Sequence, residues 1–257
     1  MTVGVKLFDL TGRLALVTGS SRGIGFALAR GLGQAGARVI LNARSEAELG
    51  RAVLELRAEG IDAAAARFDV TDAEAVSAGV EAVTDEFGTI EILVNNAGMQ
   101  DRRPLESFPA AAWRQLLETN VTSAFLVGQA VARGMLARGH GKIINICSLQ
   151  SEVARPGIAP YSASKGALKM LTKGMCADWA PGGIQVNAIG PGYFATELTE
   201  PLRNDPVFDE WLRARTPARR WGDPSELVGA AVFLASAASD FVNGQTIYVD
   251  GGVLAVL

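Results

Sequence analysis

The apolar run Leu14-Ala15-Leu16-Val17 leads directly into Thr18-Gly19-Ser20-Ser21-Arg22-Gly23-Ile24-Gly25, and a helical pattern begins at Phe26. No other segment constrains the fold as tightly. A buried strand that turns at once into a helix needs glycine at the sharp bend, here Gly19. Gly23 leaves the backbone open to a ligand, and Gly25 lets the helix pack against the strand. The free N–H groups of such a turn, with the positive end of the following helix, hold anions and in particular a dinucleotide phosphate. Ser21, Arg22 and Ile24 lie between these glycines and belong to the same predicted cradle.

The chain continues this alternation. Short apolar runs predict strands at 14–17, 38–41, 64–68, 92–95, 142–146, 185–189 and 246–249. Helical patterns separate them at 26–32, 46–58, 73–87, 111–137, 161–179 and 225–234. Strands alternating with helices imply right-handed crossovers, and so a Rossmann-like α/β fold with a doubly wound parallel sheet. With 257 residues, 49% of them hydrophobic, one domain over 1–257 can bury a sizeable core. The stretch 194–221 breaks the rhythm with Pro201, Pro206 and Pro217, and at the ligand end of the sheet it reads as a lid over a substrate.

Ligands in open parallel sheets bind beyond the carboxyl ends of the strands. Gly19, Asp69, Asn95 and Ser148 all fall at or just after such ends. The second strand ends Asn42-Ala43-Arg44, with no carboxylate to bond a ribose 2′-hydroxyl. Arg44, with Arg22, supplies positive charge for a 2′-phosphate instead, which favours NADP(H) and leaves NAD possible.

Tyr161 and Lys165 are four residues apart in a helical pattern and so share a face. An ammonium about 4 Å from a phenolate contributes about 4 kcal/mol at an effective dielectric of about 20. That predicts a phenol lowered toward neutrality, able to pass a proton to or from a carbonyl oxygen.

Taken together, TGSSRGIG, the Asp69-Val70 pair, NNAG at 95–98, Asn120, Ser148, YSASK at 161–165 and Pro191-Gly192 resemble the short-chain dehydrogenase/reductase family. The resemblance runs from about Asp9 to Val253. It implies that Tyr161 is the general acid or base, that Lys165 lowers its pKa and bonds the nicotinamide ribose, and that Ser148 holds the substrate oxygen. Asn120 would fix a water relaying protons from Lys165. Asp69 would accept from the adenine amino group, with Val70 beside it, and Asn95 would meet the adenosine ribose region. Pro191, Gly192, Phe194 and Thr196 complete the implied cofactor site, and Gln150 joins Ser148 and Tyr161 on the substrate side. The segments 95–104, 142–152, 180–198, 215–227 and 239–244 further resemble the subgroup that interconverts D-gluconate and 5-keto-D-gluconate. Arg103 or Arg155 is then the expected partner of the substrate carboxylate. That subgroup often has aspartate where Ala43 stands. The alternatives are a 3-oxoacyl-carrier-protein reductase, another polyol or ketone reductase, or a non-catalytic NADP(H) sensor.

Composition excludes other classes. A net charge of −3 without a long basic run gives no footprint for nucleic acid. No apolar stretch is long enough to span a bilayer. Two cysteines, Cys147 and Cys176, do not make a disulfide framework, and a cytoplasmic setting is expected. A single histidine, His140, offers no metal site. The apolar circumference of the helices at 111–137 and 161–179, together with the family resemblance, predicts a homotetramer packed across them.

Overall fold

The computed structural model describes residues 3–256. In chain order the regular elements are α1 (Val3–Lys6), β1 (Leu14–Val17), α2 (Gly23–Gln34), β2 (Arg38–Ala43), α3 (Glu46–Ala58), β3 (Ala63–Arg67), α4 (Ala73–Phe87) and β4 (Ile92–Asn95). There follow α5 (Ala110–Leu117), α6 (Ser123–Arg138), β5 (Gly141–Ile146), α7 (Ala159–Trp179), β6 (Ile184–Pro191), α8 (Glu200–Arg203), α9 (Pro206–Arg215), α10 (Val228–Ala235) and β7 (Thr246–Val249).

The seven strands form one sheet in the order β3-β2-β1-β4-β5-β6-β7, every pair parallel. Strand alternation sends successive side chains to opposite faces. Leu14 and Leu16 enter the core shared with α4, α6 and α7, while Ala15 and Val17 enter the one shared with α2, α3 and α10. Both faces are covered, as parallel sheets require. Strand order reverses between β1 and β4, so a crevice opens at their carboxyl ends.

Several predicted elements shift by one to three residues at their ends, and two differences bear on the site. β2 runs on to Ala43, because Asn42 is buried and its Nδ2 donates to the carbonyls of Ala66 (3.0 Å) and Phe68 (3.1 Å). The helix expected at 111–137 is interrupted by a π-helical turn at Glu118–Thr122. Such a turn inserts one extra residue and frees a backbone carbonyl from the usual ladder. Here it carries Asn120 into the interior, where Oδ1 accepts from Met99 N (2.7 Å) and Nδ2 donates to Met99 O (2.9 Å) and Ser164 Oγ (3.0 Å).

Candidate active site

A cleft of about 850 Å³ crosses the carboxyl ends of the strands. Its first wall is the glycine turn. Gly19 has φ +61°, and a Cβ there would lie 2.8 Å from Ala97 Cα. A Cβ on Gly25 would lie 2.4 Å from Gly19 O, whereas the Cβ position of Gly23 is open space. Asn96 pins the turn from β4, its Nδ2 donating to Thr18 O (3.0 Å) and Gly19 O (2.9 Å). Two glycines are thus demanded by packing, and the third faces the cleft, as a phosphate cradle requires.

Gly19, Ser21, Arg22, Gly23, Ile24 and Gly25 line this end, with Arg44, Asp69 and Val70 across from them. Arg44 Nη1 lies 3.8 Å from Asp69 Oδ2. Asp69 is held below the usual carboxylate range, chiefly by the Thr71 backbone N–H against a desolvation penalty. Pro191, Gly192, Phe194 and Thr196 close the far side. Open glycine, helix N-terminus, two arginines and an acceptor at Asp69 fit a phosphorylated dinucleotide.

Asn95 does not join them. Strand alternation turns it into the interior, where Nδ2 bonds Asn145 Oδ1 (2.9 Å), so the adjacent Asn96 is the cleft residue. Spacing alone shows both asparagines of NNAG, and only the phase of β4 chooses between them.

Ser148 stands just beyond β5 with its Oγ accepting from Gln150 N (3.2 Å), a bond that caps the short turn Leu149–Ser151. Tyr161 and Lys165, from the first turns of α7, reach the same wall, as does Gln150. Lys165 is 4% exposed and donates to Ile146 O at 2.7 Å. Its ammonium sits 5.8 Å from the centre of the Tyr161 ring. Asn120 lies one layer behind, 3.3 Å from where a Gly98 Cβ would be, with Lys165 Nζ on the other side of that space at 3.7 Å.

The expected tuning of the phenol is corrected. Tyr161 is pushed up to about 12, because desolvation outweighs the lowering effects of the Ser148 hydroxyl and the Arg102 guanidinium. Tyr161 is partly buried and lines the cleft. Lys165 is itself brought down to about 8 by burial. Its ammonium points past the ring to a backbone carbonyl instead of at the hydroxyl, and the helical spacing could not reveal that direction.

At the substrate end the expectation for Arg103 is not met. Arg103 pairs with Asp101 (2.9 Å) and lies over the Phe108 ring, while Arg102 and Arg155 line the cleft. The pKa of Arg102 is lowered first by its protein surroundings and next by the charge of Arg155. Arg155 stacks on the Phe208 ring at 5.2 Å, and its buried Nε has no hydrogen-bond partner among the described residues. Two guanidiniums near a tyrosine hydroxyl, one with an unused donor, suit an anionic substrate group. Glu48, Glu197, Tyr193, Leu198 and Leu202 also line the cleft, and no motif marked them.

Cys147 is buried, with its thiol raised by desolvation, and packs with Ala124, Leu168 and Ala188 as an apolar residue. No cluster of potential metal ligands occurs among the described residues. No helix among them is long and apolar enough to cross a membrane.

Residues 19–254 match the family model described as enoyl-(acyl carrier protein) reductase. The chain is 59% identical over 247 residues to gluconate 5-dehydrogenase of Gluconobacter oxydans (strain 621H), covering 96% of both chains. It is 54% identical over 248 residues to 5-keto-D-gluconate 5-reductase of Escherichia coli (strain K12), covering 96% of this chain and 98% of that one. The crystal structure of a gluconate 5-dehydrogenase from Burkholderia cenocepacia J2315 in complex with NADP and tartrate is 56% identical, with a TM-score of 0.97, over 99% of this chain and 100% of that one. Cleft, sheet order and sequence agree, and this chain belongs to the short-chain dehydrogenase/reductase family.

Proposed function

We propose that the protein interconverts D-gluconate and 5-keto-D-gluconate with NADP(H). The observation that carries this reading is one cleft that holds Ser148, Tyr161 and Lys165 between a phosphate cradle and the Arg102–Arg155 pair. The nicotinamide, when bound, supplies or accepts the hydride.

In reduction Tyr161 donates its proton to the substrate oxygen, a role that suits a phenol held neutral at ordinary pH. In oxidation the phenolate form takes that proton back, with the Ser148 hydroxyl and the Arg102 guanidinium favouring its charge. Ser148 also holds the substrate oxygen in line. Asn120, braced by Met99 and Ser164, keeps the π-turn open behind Lys165 so that its freed carbonyl can hold a relay water. Arg22 and Arg44 face the adenosine end with no acid at Ala43, which supports NADP(H) over NAD(H). The relative from Burkholderia cenocepacia, solved with NADP and tartrate, supports both the cofactor and a hydroxy-acid substrate.

The segment 194–221 is the lid. Ala195 N donates to Gly222 O (2.9 Å) and Gly222 N to Tyr193 O (2.9 Å), so its two ends are tied together at one hinge. Its Phe208 carries Arg155, which binds the substrate carboxylate. Homotetramer assembly is supported by Phe125, Leu136 and Met170, apolar side chains left exposed on α6 and α7. A cytoplasmic setting is supported by free Cys147 and Cys176.

Initial rates of NADPH oxidation with 5-keto-D-gluconate, a neutral ketose and a 3-oxoacyl thioester test the reading. The keto acid is the expected substrate. Arg155→Ala should raise its KM about tenfold or more and change that of the neutral ketose by about twofold at most. Equal losses would refute the carboxylate assignment, and preference for the thioester would refute the substrate.

A further inference from the structure

No carboxylate stands at the end of β2, but Glu48 of α3 lines the same part of the cleft. Glu48 lies in the first turn of α3, three residues after Ser45, whose Oγ accepts from Glu48 N (3.4 Å). From there its side chain returns to the adenosine end of the cleft. Glu48 Oε2 accepts from Ser21 Oγ at 3.4 Å, and Glu48 Oε1 lies 3.6 Å from Arg22 Nη1. The same arginine nitrogen lies 3.6 Å from Glu197 Oε2 on the lid side. Of the two cations that face a 2′-phosphate, Arg22 is therefore already engaged by two carboxylates, and Arg44 sits beside Asp69.

This arrangement treats the two cofactors differently. A 2′-phosphate must draw Arg22 away from Glu48 and then tolerate that carboxylate nearby, at a cost in like-charge repulsion. A 2′-hydroxyl would meet no such conflict, and Glu48 could accept from it as a carboxylate at the end of β2 usually does.

We propose that Glu48 is a determinant of cofactor specificity, a carboxylate that restrains the preference for NADP(H) and keeps NAD(H) usable. The inference rests on the NADP(H) reading above. It makes the preference a balance between Arg22 with Arg44 and Glu48, rather than a property of the end of β2 alone.

Titration calorimetry with unreactive cofactor fragments tests it without turnover. Adenosine 2′,5′-bisphosphate and adenosine 5′-monophosphate are titrated into the wild-type protein and into Glu48→Gln, which keeps the side-chain shape and the first turn of α3. The wild type should prefer the bisphosphate. Glu48→Gln should bind it about five- to tenfold more tightly, as expected from releasing an exposed ion pair and removing a nearby like charge. Binding of the monophosphate should stay level or weaken. The gain should shrink in high salt, because these charges are largely exposed.

A bisphosphate-to-monophosphate ratio within about twofold of wild type would overturn the inference while leaving NADP(H) dependence intact. A gain that persists in high salt would also overturn it, since charge would not be the cause. A wild type indifferent to the 2′-phosphate would overturn the NADP(H) reading and this inference together. Glu48→Ser, which removes the carboxylate and shortens the side chain, should give the same direction if charge is responsible.

Discussion

Replacing Lys165 with methionine should abolish turnover yet leave the protein at least as stable as wild type near neutral pH. Lys165 is 4% exposed, and its pKa is brought from the ordinary lysine value of 10.5 to about 8 by desolvation. Keeping that ammonium charged inside the fold therefore costs about 3 kcal/mol at neutral pH. Methionine has a similar length and no charge, so the cost disappears. Against this, Ile146 O loses the donor that lies 2.7 Å away, a penalty of about 1–3 kcal/mol. The net expectation near pH 7 is a gain of roughly 0–2 kcal/mol.

The pH dependence isolates the charge. Below about pH 8 both the folded and unfolded wild type carry the proton, and the cost is constant. Between about pH 8 and 10.5 the unfolded chain holds more protons than the folded one, so wild-type stability rises with pH. The variant lacks that rise. Tyr161, whose folded pKa lies above its unfolded value, loses stability above about pH 10 in both proteins and cancels in the difference. Thermal melts of both proteins from about pH 7 to 10 should show the variant losing about 2–3 kcal/mol relative to wild type, roughly 5–10 °C in Tm. A Tm difference that stays flat across that range would refute the claim that Lys165 is a destabilising buried cation. Such a cost is the stability a site gives up for a positioned charge.

Tyr161→Phe should lower kcat by about a hundredfold or more, while titration of the cofactor stays close to wild type, because the lost hydroxyl faces Ser148 and the substrate side. Retention of more than a tenth of wild-type kcat would sink the proton-transfer role. Gly25→Ala places a methyl 2.4 Å from both Gly19 O and Asn96 Nδ2, which must shift the glycine turn. It should weaken adenosine 2′,5′-bisphosphate binding about tenfold or more and lower stability by about 1–3 kcal/mol, as read by calorimetry and a denaturant melt.

The order of strands and helices was legible in the linear chain, because apolar periodicity is a local property that survives in any context. Also legible there were the glycine turn, whose tight packing only glycine permits, and the shared face of Tyr161 and Lys165, which follows from helical pitch. Which neighbour of a pair meets the cleft emerged only on folding. The phase of β4 selected Asn96 over Asn95, and the path of the following loop selected Arg102 over Arg103. Packing also put a π-turn at Asn120 and brought Glu48 and Glu197 to Arg22 from segments far apart in sequence. The electrostatics followed the same division. The spacing of Tyr161 and Lys165 predicted attraction and a lowered phenol, whereas their burial raised one pKa and lowered the other. Desolvation depends on every atom around a group, and that surrounding exists only once the chain has folded.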